Sequence, residues 1–267
     1  METRATRIGL WAWGALVVAF LWIPLGIMAL YAFNSSNIQS WPIPGFTTKW
    51  FHQAWDDEEV RTALWLSLRA GLLATAVALV LGSLAAFGLA RSRFFGRDSI
   101  SFLFVLPIAL PGIITGLALN WALNLVGLPD LNIAYTNWAM WVVFTYIWFP
   151  FMVLPVYAAL ERVPQSYLEA SADLGAHGPT TLRRVILPLA VPGLAAGSIF
   201  TFSLTLGDYI APSLVGGPGS SLIGTVVFEN LGLANNAPFA AAFATVPLAI
   251  MAVYLVIMKR LGAFESL

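Results

Sequence analysis

The sequence predicts an all-α integral membrane protein with six transmembrane helices, and two observations carry this prediction. The chain of 267 residues is 59% hydrophobic and only 10% charged, whereas soluble proteins average about 25% charged residues. The apolar residues also form long continuous runs separated by polar loops. A helix needs about 20 apolar residues to cross a bilayer, and each run is long enough to do so.

The apolar runs leave no room for a separate soluble domain, so we expect one transmembrane domain over residues 1–267. They cover about residues 8 to 33, 63 to 90, 100 to 126, 136 to 160, 187 to 210 and 238 to 260. Arg4 and Arg7 precede the first run, and basic residues also precede the apolar part of a signal peptide. Because it is longer than the apolar part of a signal peptide, which has about 7 to 15 residues, we expect a retained span.

The basic residues predict the orientation of the spans. Loops that carry Lys and Arg usually stay in the cytoplasm, and the loop over residues 91–98 reads Arg-Ser-Arg-Phe-Phe-Gly-Arg-Asp. With that loop inside, both termini and the loop over residues 161–187 are also cytoplasmic. Most basic residues then fall on this side, namely Arg4, Arg7, Arg91, Arg93, Arg97, Arg162, Arg183, Arg184, Lys259 and Arg260.

Prolines and glycines mark the interior of the spans. Proline removes a helical hydrogen bond, so we expect bent or broken helices at Pro24, Pro107, Pro111, Pro150, Pro155, Pro188, Pro192 and Pro247. Two pairs with the spacing Gly-x-x-x-Gly, Gly112 with Gly116 and Gly193 with Gly197, place small residues on one helix face. Such a face permits close contact between helix backbones.

A polar island over residues 161–187 predicts a short helix at the cytoplasmic membrane surface. Ser166-x-x-Glu169 has the form of a capping box, so a helix should begin near Ser166. Gly175 and Gly178-Pro179 should end it, because glycine adopts left-handed dihedrals and the residue before proline disfavours helical ones. About eight residues, roughly 12 Å, remain.

A second helix should follow in the same island. Thr180 or Thr181 can cap it, and Arg183 and Arg184 would then lie at the membrane surface. Pro188 would lead into the next span.

The island carries a spaced motif, Glu169-Ala170-Ser171, three residues, Gly175, nine residues, then Val185-Ile186-Leu187-Pro188. It resembles the EAA loop of the permease subunits of bacterial ATP-binding-cassette importers. Ser171 and Val185 replace an alanine and an isoleucine of that pattern. The resemblance implies a coupling helix that fits a cleft on an ATPase subunit. It assigns ATPase coupling to Glu169, Ala170, Ser171, Asp173, Gly175 and Ala176. The alternative is an ordinary amphipathic interfacial helix.

Other segments resemble the second, shorter permease of spermidine/putrescine importers. They are Phe33-Asn34-Ser35-Ser36, Gly45-Phe46-Thr47-Thr48-Lys49-Trp50, Arg93-Phe94-Phe95-Gly96-Arg97, the stretch from Leu168 to Ala176 and the stretch from Ile186 to Pro192. The stretch from Leu206 to Gly217 is instead similar to the partner permease. Ferric iron, thiamine and other small ions are alternative substrates in the broader family.

This resemblance implies a type I importer fold in a bacterial inner membrane and a set of partners. They are a second permease subunit, two copies of a cytoplasmic ATPase and an extracytoplasmic substrate-binding protein, besides membrane lipid. ATP and Mg²⁺ would bind to the ATPase subunits, and this chain would be a non-catalytic subunit with no cofactor of its own.

Three residues are candidates for a substrate pathway. Asp208 falls near the outer end of the fifth apolar run, where a carboxylate at membrane depth costs about 2.5 to 3.5 kcal/mol unless it faces water or a partner. Carboxylates and aromatic faces are natural ligands for an ammonium group, and Tyr209 and Trp148 supply such faces. Alternatively, Asp208 caps a helix end and the aromatic residues belong to interfacial belts. Arg69 either snorkels to the headgroups or pairs with Asp208.

Other classes of function find less support in the sequence. A formal net charge of zero argues against a nucleic-acid partner. The sequence has no cysteine, and His52 and His177 lie in polar loops, so no metal site is predicted. An ion-coupled carrier would need buried ionisable residues at mid-membrane, and the apolar runs offer very few. A membrane enzyme would need a nucleophile or metal cluster within a span, and none is visible.

Overall fold

The computed structural model describes residues 4–109 and 135–260, and the regular structure in these ranges is helical apart from an isolated antiparallel bridge between Asn34 and Phe46. The helices are α1 (Arg4–Ala32), α2 (Lys49–Asp56), α3 (Glu58–Arg91), α4 (Arg97–Ala109), α5 (Asn137–Glu161), α6 (Gln165–Asp173), α7 (Gly178–Thr181), α8 (Leu187–Gly207), α9 (Ile210–Val215), α10 (Ile223–Gly232) and α11 (Ala237–Arg260). A π-helical turn over Leu182–Ile186 joins α7 to α8.

Within the described ranges, five helices are long and apolar enough to cross a membrane. They coincide with five of the six predicted runs, and cover Thr6–Ala32, Glu58–Arg91, Asn137–Glu161, Gly178–Gly207 and Ala237–Arg260. The predicted run over residues 100 to 126 begins in α4. Its remainder, with Pro111 and the Gly112 and Gly116 pair, lies outside the described residues.

The chain divides into two compact units. The first contains the described residues of Met1–Arg61 and Val226–Val246. The first two residues of α2 hold the segment that connects it to α1. The buried Trp50 donates a hydrogen bond from Nε1 to Asn34 O at 2.6 Å. The Lys49 ammonium donates to Ser35 O at 3.0 Å and lies 4.1 Å from the centre of the Trp50 ring.

The second unit contains the described residues of Thr62–Thr225 and Pro247–Leu267. Its core is the close packing of α5 against α8, which the Gly193 and Gly197 pair makes possible. A Cβ atom on Gly193 would lie 2.5 Å from Pro155 O, and one on Gly197 would lie 2.7 Å from Met152 Sδ. The predicted close contact between helix backbones is confirmed for this pair, and the contacted helix is α5.

Helix α3 packs on the same two helices through small residues. A Cβ atom on Gly82 would lie 2.7 Å from Met152 Cγ of α5, and one on Gly71 would lie 2.9 Å from the Phe202 ring of α8. The second unit is thus organised around α3, α5 and α8.

The internal prolines do not break the helices that contain them. Pro150 and Pro155 lie inside α5, Pro192 inside α8 and Pro247 inside α11. Each of these helices continues as one element, because the loss of one hydrogen bond is small beside the apolar packing and bilayer that favour a helix.

Candidate functional site

The polar island forms the nine-residue helix α6 between two long helices, α5 and the helix that ends at Gly207. Its end is set by Gly175, which has φ +77°. Gly175 N donates to Ala172 O at 2.8 Å and Ala176 N donates to Ser171 O at 3.0 Å. These two bonds are the Schellman motif, in which a left-handed residue after the helix lets the chain satisfy the last carbonyls. The expected turn at Gly175 is present.

The start of α6 differs from the predicted capping box. The helix begins at Gln165 with Pro164 in the N-cap position, at φ −63° and ψ 144°. Ser166 is therefore already the second helical residue, and its hydroxyl cannot take the N-cap role. The predicted start near Ser166 is confirmed to within one residue, but the predicted capping box is wrong, because the extended Pro164 occupies the N-cap position.

The second helix also differs from the prediction. It begins at Gly178 with Pro179 in its first turn, and it continues to Gly207 as one 30-residue helix. Proline is tolerated in the first turn of a helix, where the N–H groups have no partner within the helix and its missing N–H therefore costs little. Gly178-Pro179 therefore start this helix rather than end α6, and neither Thr180 nor Thr181 is its N-cap.

The π-helical turn lies directly before Leu187-Pro188. In an ordinary α-helix the ring of Pro188 would meet the carbonyl of residue Arg184. The wider turn accommodates the proline without breaking the helix. Arg183 and Arg184 lie on this turn with exposed side chains, as expected for residues at a membrane surface.

Most residues of the motif are exposed, and one of them is buried. Glu169, Ala170, Asp173 and Gly175 are exposed, and Ala176 is half-buried. Ser171 is buried, and its Oγ lies 2.9 Å from Thr181 Oγ1 in a hydrogen bond. The side chain that replaces the family's alanine thus ties α6 to the first turn of the next helix.

A groove with a volume of about 540 Å³ lies between α6 and α7. It is lined by Tyr167, Ala170, Ser171, Leu174, Gly175, Ala176, His177, Thr180, Arg184 and Val185. Leu174 is 88% exposed and Tyr167 is 53% exposed. Neither residue is among those predicted for ATPase coupling, although an exposed apolar side chain at the end of a polar helix is typical of an interaction surface.

The candidate pathway residues occupy different environments. Asp208 follows the last residue of α8, and its Oδ1 accepts hydrogen bonds from Ile210 N at 2.6 Å and Ala211 N at 3.1 Å. The carboxylate therefore caps α9, which was the alternative role predicted for it. Its Oδ2 has no hydrogen bond within the described ranges, and the side chain is only half-buried.

Trp148 and Tyr209 lie in different surroundings. Trp148 packs against a core cluster of α5 and neighbouring helices. Its buried Nε1 has no hydrogen-bond partner among the residues described. Tyr209 is 37% exposed. Arg69 is exposed beside a cavity of about 400 Å³ and, in the described part of the chain, forms no ion pair with Asp208.

Two permease proteins of Escherichia coli are similar to this chain in sequence. The Spermidine/putrescine transport system permease protein PotC of Escherichia coli (strain K12) is 32% identical over 253 residues, which cover 94% of this chain and 92% of PotC. The inner membrane ABC transporter permease protein YdcU of the same organism is 49% identical over 171 residues, or 64% of this chain. That match spans 53% of the length of YdcU.

A solved structure shares the fold. It is the crystal structure of a bacterial ABC transporter involved in the import of the acidic polysaccharide alginate. The TM-score is 0.74 at 16% sequence identity, over 96% of this chain and 98% of the solved one. The predicted type I importer permease fold is confirmed by this similarity.

The family match covers the helices that flank α6. Residues 78–263 match the family described as Binding-protein-dependent transport system inner membrane component. This match takes in more than half of the chain, and it includes α5, α6 and α8. The chain belongs to the family of binding-protein-dependent transport system inner membrane components.

Proposed function

We propose that this chain is a permease subunit of an ATP-driven importer and that α6 is its coupling helix, docked on a cytoplasmic ATPase subunit. The observation that carries the proposal is the exposed surface of a nine-residue helix fixed between two spans that pack closely on each other. Glu169 supplies a polar contact to the ATPase. Ala170, Gly175 and Ala176 allow its close approach, and the exposed Leu174 and Tyr167 add an apolar contact.

The packing of α5 on α8 explains how such a contact moves the spans. α5 leads into α6, and the helix that begins at Gly178 follows it. Gly193 and Gly197 of α8 leave no space for even a Cβ atom beside α5. Because closely packed helices move together rather than deform, a push on α6 displaces α5 and α8 as one body. Such displacement exposes the pathway alternately to the two sides.

The proposed complex contains other subunits besides this chain. Two ATPase subunits bind ATP and Mg²⁺ inside, a second permease completes the pathway, and a binding protein delivers substrate from outside. Both termini of this chain lie in the cytoplasm. Lipid and the second permease cover the apolar side chains of α1, of which Trp11 is 76% and Phe20 is 74% exposed. This chain itself hydrolyses no ATP.

The proposed substrate is a polyamine, spermidine or putrescine. This proposal rests on the name of PotC, which aligns along nearly the whole chain. The Oδ2 of Asp208, at the outer end of α8, has no hydrogen bond to the described residues and can accept one from a substrate ammonium group. Tyr209 and Trp148 remain candidates for aromatic contacts along the pathway. If the complex does not transport polyamines, ferric iron, thiamine and other small ions are the alternative substrates.

The test is to extract the tagged chain from its native host in mild detergent and to identify the accompanying proteins by mass spectrometry. We expect an ATP-binding-cassette ATPase, a second permease and a binding protein. The complex in proteoliposomes should take up radiolabelled putrescine or spermidine only when ATP and the binding protein are present. Recovery of the chain alone, with uptake driven by an ion gradient, would instead support an ion-coupled carrier.

A further inference from the structure

Arg91, the last residue of α3, reaches the junction between α5 and α6. Its Nη2 donates a hydrogen bond to Leu160 O at 2.9 Å and another to Val163 O at 3.0 Å. Leu160 lies in the last turn of α5, and Val163 lies in the linker directly before Pro164 and α6. One side chain of α3 thus holds both the end of one span and the beginning of the exposed short helix.

The environment makes this contact a strong one. Leu160 O also accepts a hydrogen bond from Val163 N at 3.2 Å, so Arg91 adds a second donor to this carbonyl, and a cation near the last carbonyls of a helix is favoured by the helix dipole. Leu160 and Val163 are buried at 3% and 5% exposure, and the Nε atom of Arg91 is itself buried without a partner in the described ranges. Hydrogen bonds from a charged donor are stronger than neutral ones, particularly where water is excluded.

A second arginine joins α4 to the same region. Arg97, the first residue of α4, donates from Nε to Leu89 O of α3 at 2.9 Å and from Nη2 to the Tyr157 hydroxyl at 3.2 Å. That hydroxyl donates to Glu161 Oε1 at 3.1 Å. The cytoplasmic ends of α3, α4 and α5 are therefore linked through polar side chains. The basic residue between them, Arg93, is exposed and has no such contact among the residues described.

We propose that Arg91 is a positioning residue for coupling, which transmits displacement of α6 to α3 through its two bonds at the α5–α6 junction. This inference rests on the proposed function of α6. Without Arg91, the end of α3 would lose its hydrogen bonds to the α5–α6 junction, and displacement of α6 would reach α3 only through the packing at Gly71 and Gly82. ATP hydrolysis would then continue with less transport.

The experiment uses the whole importer complex in proteoliposomes and measures the ATP hydrolysed for each radiolabelled putrescine taken up. The variants are Arg91→Gln, which removes the charge and ends two atoms earlier, Arg91→Lys, which keeps the charge but ends one atom earlier, and the control Arg93→Gln. We expect Arg91→Gln to raise the ratio at least about fivefold, the lower end of typical coupling between sites. Arg91→Lys should give an intermediate ratio and Arg93→Gln the wild-type ratio.

The content of ATPase subunit in each purified complex separates a coupling effect from lost assembly. A wild-type ratio in Arg91→Gln, or an equal rise in Arg93→Gln, overturns the inference while leaving the proposed function intact. If Arg91→Gln does not accumulate, Arg91→Lys decides, and a wild-type ratio there also overturns it. Failure of the wild-type complex to couple ATP hydrolysis to uptake would contradict the proposed function itself.

Discussion

The hydroxyl groups of Ser171 and Thr181 lie 2.9 Å apart and form a hydrogen bond between α6 and the first turn of the following helix. Ser171 is buried at 8% exposure and Thr181 is half-buried, so this bond is partly shielded from water. In the EAA pattern the equivalent position holds alanine, which cannot make such a bond. The replacement therefore adds a polar tie across the loop that the proposed function requires to be stiff.

Ser171→Ala should remove this tie while keeping α6. We expect the free energy of unfolding to fall by about 1 kcal/mol, the typical net contribution of a hydrogen bond. We also expect more ATP to be hydrolysed for each substrate molecule imported. The measurements are thermal unfolding of the purified complex and coupled uptake in proteoliposomes.

The control for this variant is Thr181→Val together with the double variant. Because the two hydroxyls act on each other, the double variant should be no worse than the more affected single one. Additive losses would show that the bond does not contribute as a pair.

Glu169→Ala should uncouple transport from ATP hydrolysis without affecting insertion. Glu169 is exposed on α6, so its loss leaves the fold of this chain unchanged, and only a contact with the ATPase is removed. We expect reduced putrescine uptake at near-normal protein level. Glu229→Ala, an exposed acidic residue on α10, is the matched control, and normal uptake by Glu169→Ala would remove this residue from the docking surface.

Gly175→Val should be more damaging than any other change in the motif. The φ of +77° at this position costs a residue with a Cβ atom about 1 to 2 kcal/mol, and a β-branched side chain is strained further. Gly175→Asn, which tolerates left-handed dihedrals, should retain most of the coupling. We would compare uptake and ATPase content for both variants, and equal defects in the two would show that the side chain blocks docking rather than straining the turn.

Asp208→Asn and Asp208→Ala separate the two roles of this carboxylate. Asparagine keeps an acceptor for Ile210 N and Ala211 N, so the cap should survive, whereas alanine loses a cap contributing about 1 kcal/mol. Asparagine also loses the charge on Oδ2. We therefore expect Asp208→Asn to unfold at the wild-type temperature with a raised KM for putrescine, and Asp208→Ala to show both defects. An unchanged KM for Asp208→Asn would leave the carboxylate as a cap only.

Gly197→Leu tests whether α5 and α8 move as one body. Even a Cβ atom at this position would lie 2.7 Å from Met152 Sδ and 3.1 Å from the Met152 backbone, so a leucine must separate the helices. We expect loss of uptake and lowered thermal stability of the complex. Gly88→Leu on α3, where an added Cβ meets nothing within 4 Å, is the control and should be tolerated.

The sequence by itself determined the helical membrane fold, the positions of the five described spans, of which only the one that begins at Gly178 differs at its start by as many as nine residues, and the short helix with its turn at Gly175. These features follow from local chemistry, namely apolar runs long enough for a bilayer and the left-handed conformation that glycine adopts at low cost. The spacing of Gly193 and Gly197 likewise predicted a close helix contact. The spacing did not determine which helix would be contacted.

Only the tertiary structure decided which polar groups meet across the loops. Ser171 and Thr181 are ten residues apart, while Arg91 and Val163 are 72 residues apart, and no periodic pattern pairs residues at these separations. The single helix from Gly178 to Gly207 also depended on the π-helical turn before Pro188. Because that turn accommodates the proline, the second helix of the polar island and the span after it form one element, which the local capping signals did not predict.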